Sequence, residues 1–105
     1  MKYMLVKVVE RNIFPPIFYN NLLEAQTEMV KQVAAECRIK WEDIADHPIK
    51  DIIEAIEEYS EDVGFFNGNH GAYVSEGSYG NYDWEIFEVD EECKATYIER
   101  NEGQL

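Results

Sequence analysis

The chain has 105 residues and a formal net charge of −13, and is 46% hydrophobic and 30% charged. That length points to one domain able to bury about 65% of its unfolded surface, and a Leu, Ile, Val and Phe share of about a quarter lies above the range of intrinsic disorder. No apolar run is long enough to span a bilayer and no Lys or Arg occurs between Lys50 and Lys94, which disfavours a membrane span and direct binding to nucleic acid or an anionic membrane.

Residues 3–10 read as a strand, with Met4, Val6 and Val8 on one face and Tyr3, Leu5 and Val9 on the other beside Lys7. Both faces are expected to be partly covered, as in an inner strand. Lys7 within the apolar N-terminal run, and no small-residue cleavage pattern, argue against a signal peptide; a cytoplasmic location is the expectation. Pro15-Pro16 imposes an extended connection, anchored by Ile13, Phe14, Ile17 and Phe18. Asn21 is placed to cap a helix over about 21–37, with Glu24 three residues on as in a capping box. Leu22, Ala25, Met29, Val33 and Cys37 recur there at helical spacing.

Trp41, Ile44 and Ala45 make one apolar turn. Pro48 suits the first position of a second helix over about 48–62, capped by Asp46 or His47 and stopped by Gly64. Its apolar stripe is Ile49, Ile52, Ile53, Ile56 and Tyr59. From Gly64 to Asn81, five glycines alternate with Phe65, Phe66, Tyr73 and Tyr79, with turn signals at Asn67-Gly68 and Gly80-Asn81 and a short strand at 72–75. Residues 82–89 give the strongest strand signal. Tyr82, Trp84 and Ile86 share a face that Glu88 breaks, which predicts a bulge near Ile86-Phe87 or a strand half covered on both sides. A candidate last strand follows at 94–99, and 100–105 are expected to fray.

The acids are unevenly placed. Residues 1–50 carry seven basic and seven acidic side chains, whereas 51–105 carry two and fifteen. The polar face of the second helix is Asp51, Glu54, Glu57, Glu58, Glu61 and Asp62. The pairs Glu54–Glu58 and Glu57–Glu61 are four apart, a spacing at which like charges each destabilise a helix by about 0.2–0.5 kcal/mol; the last of these acids also sit at the negative end of the helix dipole. The plainer explanation is a solvated face that keeps the protein soluble. The sharper one is a carboxylate decoy for a basic groove, joined by the acids of 88–92 and spaced like DNA phosphates. Tyr73, Tyr79 and Tyr82 with Trp84 form a Tyr-rich cluster suited to an interface or, more plainly, to a core rim.

Other chemistries have little support. Neither G-x-G-x-x-G nor G-x-x-x-x-G-K-[ST] occurs, and Gly68-x-x-Gly71 and Gly77-x-x-Gly80, which have the outline of an RNA-clamping loop, have no cation nearby. Cys37, Cys93, His47 and His70 show no zinc spacing, and no calcium loop is present. Both cysteines are expected to be reduced and buried. Ser60, Ser75 and Ser78 lack G-x-S-x-G and have no partner beyond a lone His70. No cofactor or metal site is expected.

The opening strand, the segment Pro16-Ile17-Phe18 leading to Glu24-Ala25, and the run Asp83–Val89 resemble small acidic proteins of Gram-positive bacteria and their mobile elements. The similar parts cover both ends of the chain and little of residues 38–80, and the resemblance implies no activity. In size and charge alone the chain is also similar to small DNA-mimic inhibitors of mobile elements.

The expected fold is an α+β domain of order β-α-α-β-β-(β), two helices lying on one face of a small antiparallel sheet in which 3–10 and 82–89 are neighbours. Three functions are then open. The first is a non-enzymatic protein-binding module, a homodimer among its forms, meeting its partner with the Tyr-rich loop side or the second sheet face. The second is a DNA-mimic inhibitor of a protein with a basic surface. The third is an enzyme or small-molecule binder with a pocket near His70 and Tyr79. The candidate interaction residues are Glu54, Glu57, Glu58, Glu61, Asp62, Tyr73, Tyr79 and Tyr82.

Overall fold

In the computed structural model, which describes residues 1–98, the strands β1 (Lys2–Val9), β2 (Asn12–Ile13) and β3 (Ile17–Tyr19) precede helix α1 (Leu22–Glu36). A short 3₁₀ turn at Trp41–Asp43 leads to helix α2 (Ile49–Tyr59), then β4 (Val63–Phe66), β5 (Gly71–Gly77), β6 (Gly80–Val89) and β7 (Ala95–Tyr97). All strands join one antiparallel sheet of order β2-β1-β6-β5-β4, with β3 on β1 and β7 on β6. This is the α+β fold that the sequence pattern predicts, with both helices on one face. Among the described residues no helix is long and apolar enough to cross a membrane.

β1 and β6 are the neighbours expected. Their register runs unbroken from Lys2 opposite Val89 to Val9 opposite Tyr82, so no bulge lies at Ile86-Phe87. The irregularity is on β5, between Val74 and Gly77, where Glu76 takes a φ of 61°. Leu5, Val9, Val63, Ala72, Val74, Tyr82, Trp84 and Ile86 form the sheet's contribution to the core. Against them pack Ala25, Met29, Val30, Val33 and Ala34 of α1 and Ile52, Ile53 and Ile56 of α2. The Trp84 indole N–H donates to Gln32 Oε1 at 2.9 Å, and Gln32 Nε2 donates to Glu28 Oε2 at 2.9 Å.

Local chemistry explains the helix ends. Asn21 caps α1 as expected, its Oδ1 accepting the Glu24 N–H at 3.0 Å. The start of α2 differs from expectation: Pro48 itself is the N-cap, with extended backbone and no side-chain cap. Its carbonyl accepts from Asp51 and Ile52 N–H, so neither Asp46 nor His47 caps the helix. The end of α2 also differs, because Ser60 turns extended and Gly64 lies within β4. Glu61 and Asp62 are therefore beyond the helix, and Glu57–Glu61 is not a pair on one helical face.

Three strands escape the sequence reading. β1 and β2 are joined through Glu10 and Arg11, whose φ values of 49° and 75° are normally the province of Gly, Asn or Asp. Glu10 is held there by Asn81, whose N–H donates to Glu10 Oε2 at 2.6 Å while Glu10 N–H donates to Asn81 O at 3.0 Å. β3 places Phe18 opposite Met4, so the Pro15-Pro16 segment is a strap between two short edge strands. β4 occupies the start of the glycine-rich stretch. Cys37 is half-buried, but Cys93 is exposed in the β6–β7 turn rather than buried. Glu99, the last residue of the expected 94–99 strand, and the frayed end expected at 100–105 lie outside the described residues.

Candidate interaction surface: the helix-free face of the sheet

Side chains alternate across a strand, so the registers determine what the second face carries. With Leu5, Val9, Trp84 and Ile86 turned to the helices, β1 turns Met4, Val6 and Val8 the other way. Opposite them are Phe18 on β3, Ile13 on β2, and Phe87, Glu85 and Asp83 on β6. Beyond β6 come Tyr97 opposite Phe87 on β7, and Tyr73 opposite Asp83 on β5. Phe66 on β4 lies opposite Gly71. A sheet face left to solvent is normally polar; this one is largely apolar. Ile13 is 73% exposed, Tyr97 66% and Phe18 51%.

The aromatic rings on this face are held by sequence features that looked like loop signals. Gly64 faces Tyr73, and a Cβ built on Gly64 would fall 2.3 Å from the Tyr73 ring. Gly71 faces Phe66, and a Cβ there would fall 2.5 Å from the Phe66 ring. Each ring therefore lies across the backbone of its opposite glycine, and the two rings stack at 6.4 Å. Phe87 and Tyr97 meet at 4.9 Å.

Of the expected Tyr-rich cluster, Tyr79, Tyr82 and Trp84 stay together and Tyr73 stands apart. Tyr73 lies on the helix-free face, while Tyr82 is buried on the helix side, stacked on Trp84 at 5.6 Å. Tyr79 stands 80% exposed at the tip of the β5–β6 turn. Nor do His70 and Tyr79 share a pocket: they flank opposite ends of β5, roughly 20 Å of extended strand apart. The His70 ring instead lies 3.0 Å from the Asn67 carbonyl within the β4–β5 turn. Around Tyr79 and Tyr82 there is a groove of about 540 Å³ whose lining includes Lys7, Glu10, Phe14 and Glu36. Its polar groups are largely engaged: Glu36 Oε1 accepts the Ser78 N–H at 3.0 Å, Glu10 holds Asn81, and Lys7 Nζ sits 4.5 Å above the Phe14 ring. Desolvation, reinforced by the Glu36 carboxylate, raises the Tyr82 phenol above its ordinary range. The Cys37 thiol is raised too, by burial first and then by Glu36 and Asp62.

The acids divide as well. Glu54, Glu57 and Glu58 are exposed on α2, and Glu61 and Asp62 are exposed in the turn after it. Glu57 has a structural task, since its Oε2 accepts the Phe65 N–H at 3.2 Å on the outer edge of β4 and so blocks an edge strand from further pairing. Glu61 and Asp62 lie beside the end of the sheet where Val63, Val74 and Tyr82 align. Asp90, Glu91 and Glu92 turn past the other end of β6, roughly 25 Å along the strand. These are two groups of carboxylates, not one row. Among the described residues no group of three or more His, Cys, Asp or Glu is placed to hold a metal ion.

No family model, curated protein or solved structure matches this chain.

The face described here was within reach of the sequence at Met4, Val6 and Val8, whose alternation marks a second apolar side of β1. Its extension through Ile13, Phe18, Phe66 and Tyr97 was not, because those residues sit in strands of two to four residues with no periodicity to read.

Proposed function

We propose that the chain is a protein-binding module whose docking surface is the helix-free face of its sheet. The observation that supports this is the continuous apolar band from Ile13 and Phe18 across Met4, Val6 and Val8 to Phe87 and Tyr97, over which no helix or strand lies among the described residues. Large aromatic side chains bring about 150–250 Å² each, so half-exposed Phe18, Tyr97, Phe66 and Tyr73 with Ile13 contribute several hundred Å². Exposed apolar patches of that size mark interaction sites, and a standard interface takes about 800 Å² from each partner.

Affinity capture from a native lysate at low and high salt tests the proposal. Apolar contact resists salt, whereas attraction between exposed charges is screened. A specific protein retained at both concentrations is the expected result. Retention that collapses as salt rises would transfer the function to the exposed α2 acids and support the decoy reading.

A further inference from the structure

The groove of about 540 Å³ beside Tyr79 lies on the helix side of the sheet, where β1 turns Lys7 and Val9 together with Leu5. Its volume is that of a small-ligand site, about 300–1,000 Å³. Val9, Phe14 and Tyr79 give it apolar walls, and it holds charges of both signs: Lys7 from β1, Glu10 from the β1–β2 turn and Glu36 from α1. Both acids are tied to backbone, Glu36 Oε1 by the Ser78 N–H and Glu10 Oε2 by the Asn81 N–H. Neither closes on Lys7. The half-buried Lys7 ammonium forms no hydrogen bond or ion pair among the described residues, and its contact with the Phe14 ring leaves its N–H donors unspent. Glu10 Oε1 likewise has no hydrogen bond among the described residues.

Unspent donors, a carboxylate oxygen and aromatic walls in one groove match a ligand that has an anion, a cation and an apolar body. A lone anion there would meet the field of Glu10 and Glu36, and a lone cation that of Lys7. A zwitterion meets an opposite charge at each end. Phe14 is 42% exposed and Tyr79 80%, so ring surface remains free for an aromatic side chain. We propose that the groove binds a free aromatic α-amino acid. Its carboxylate accepts from Lys7 Nζ, its ammonium donates to Glu10 with Glu36 adding attraction, and its ring lies against Phe14 and Tyr79. The site is on the opposite side of the sheet from the docking surface, and either can stand without the other.

The test titrates the nitrogen-15-labelled full chain with L-phenylalanine, with phenethylamine, which lacks the carboxylate, and with hydrocinnamate, which lacks the ammonium. L-Phenylalanine should shift the amides of Lys7, Val9, Asn12 and Tyr79 and leave those of Phe66 and Tyr97 unmoved. Each truncated compound should bind about tenfold more weakly, as the loss of one charge-assisted hydrogen bond predicts. Lys7→Met should bring L-phenylalanine down to the level of phenethylamine, and Glu10→Gln should bring it towards that of hydrocinnamate. Absence of these shifts with L-phenylalanine at millimolar concentration would overturn the inference. Equal binding of phenethylamine would overturn it too, by showing Lys7 idle, and equal binding of hydrocinnamate by showing the acids idle. The comparison of the three compounds on the unmodified chain decides the matter even if a variant folds poorly.

Discussion

Trp84 is the largest of the fully buried side chains, and its indole N–H must find an acceptor inside the protein. Gln32 supplies it. Gln32→Leu leaves that donor unpaired and should lower unfolding stability by about 1–3 kcal/mol, read from the urea midpoint. In that background Trp84→Phe should cost less than it does alone, because the stranded donor is gone. Cys37 and Tyr82 carry pKa values raised by burial and by Glu36, so the folded state favours their neutral forms. Their contribution is intact below the ordinary thiol and phenol values. As pH rises past those values the unfolded chain ionises first, and stability falls. Tyr82→Phe should flatten the phenol part of that decline in a series of urea midpoints against pH. A thiol reagent at neutral pH should label exposed Cys93 well before half-buried Cys37.

Among the elements, β4 and β5 show how sparse sequence signals become specific geometry. Gly64→Ala and Gly71→Ala would each force an aromatic ring off the backbone opposite it. Each should destabilise the fold by about 1–3 kcal/mol, as overpacking does, and should disturb the ring-current shifts of Tyr73 or Phe66. Glu57→Ala opens the edge of β4, and hydrogen exchange at Phe65 should quicken. The long elements were legible. Helical spacing in Leu22–Cys37 and Ile49–Tyr59, the cap at Asn21, and the β-branched and aromatic runs of β1 and β6 each state one local preference that packing does not override. The short ones were not. Glu10-Arg11 is an improbable pair for a tight turn and depends on Asn81, 71 residues on from Glu10. The glycines of β4 and β5 read as loop until their cross-strand aromatics are known. Tyr73 and Tyr82 looked like one cluster because proximity in sequence does not reveal that they fall on opposite faces of the sheet.

At the scale of the whole molecule, the helices cover one face of the sheet and leave the other largely apolar around Asp83 and Glu85, while most other carboxylates of the second half collect on α2, in the turn after it, and in the β6–β7 turn. The acidic surface and the apolar surface are thus separable by substitution. Phe18 stands on the helix-free face far from α2 in the strand order, and Glu54 and Glu58 are exposed on α2 away from the sheet's open side. The most direct measurement is the retention of the captured partner by two variants, Phe18→Glu and Glu54→Lys/Glu58→Lys, each first confirmed to keep its fold by circular dichroism. Phe18→Glu should lose the partner and the α2 double variant should keep it. Retention by Phe18→Glu together with loss by Glu54→Lys/Glu58→Lys would contradict the account and place recognition on the acids.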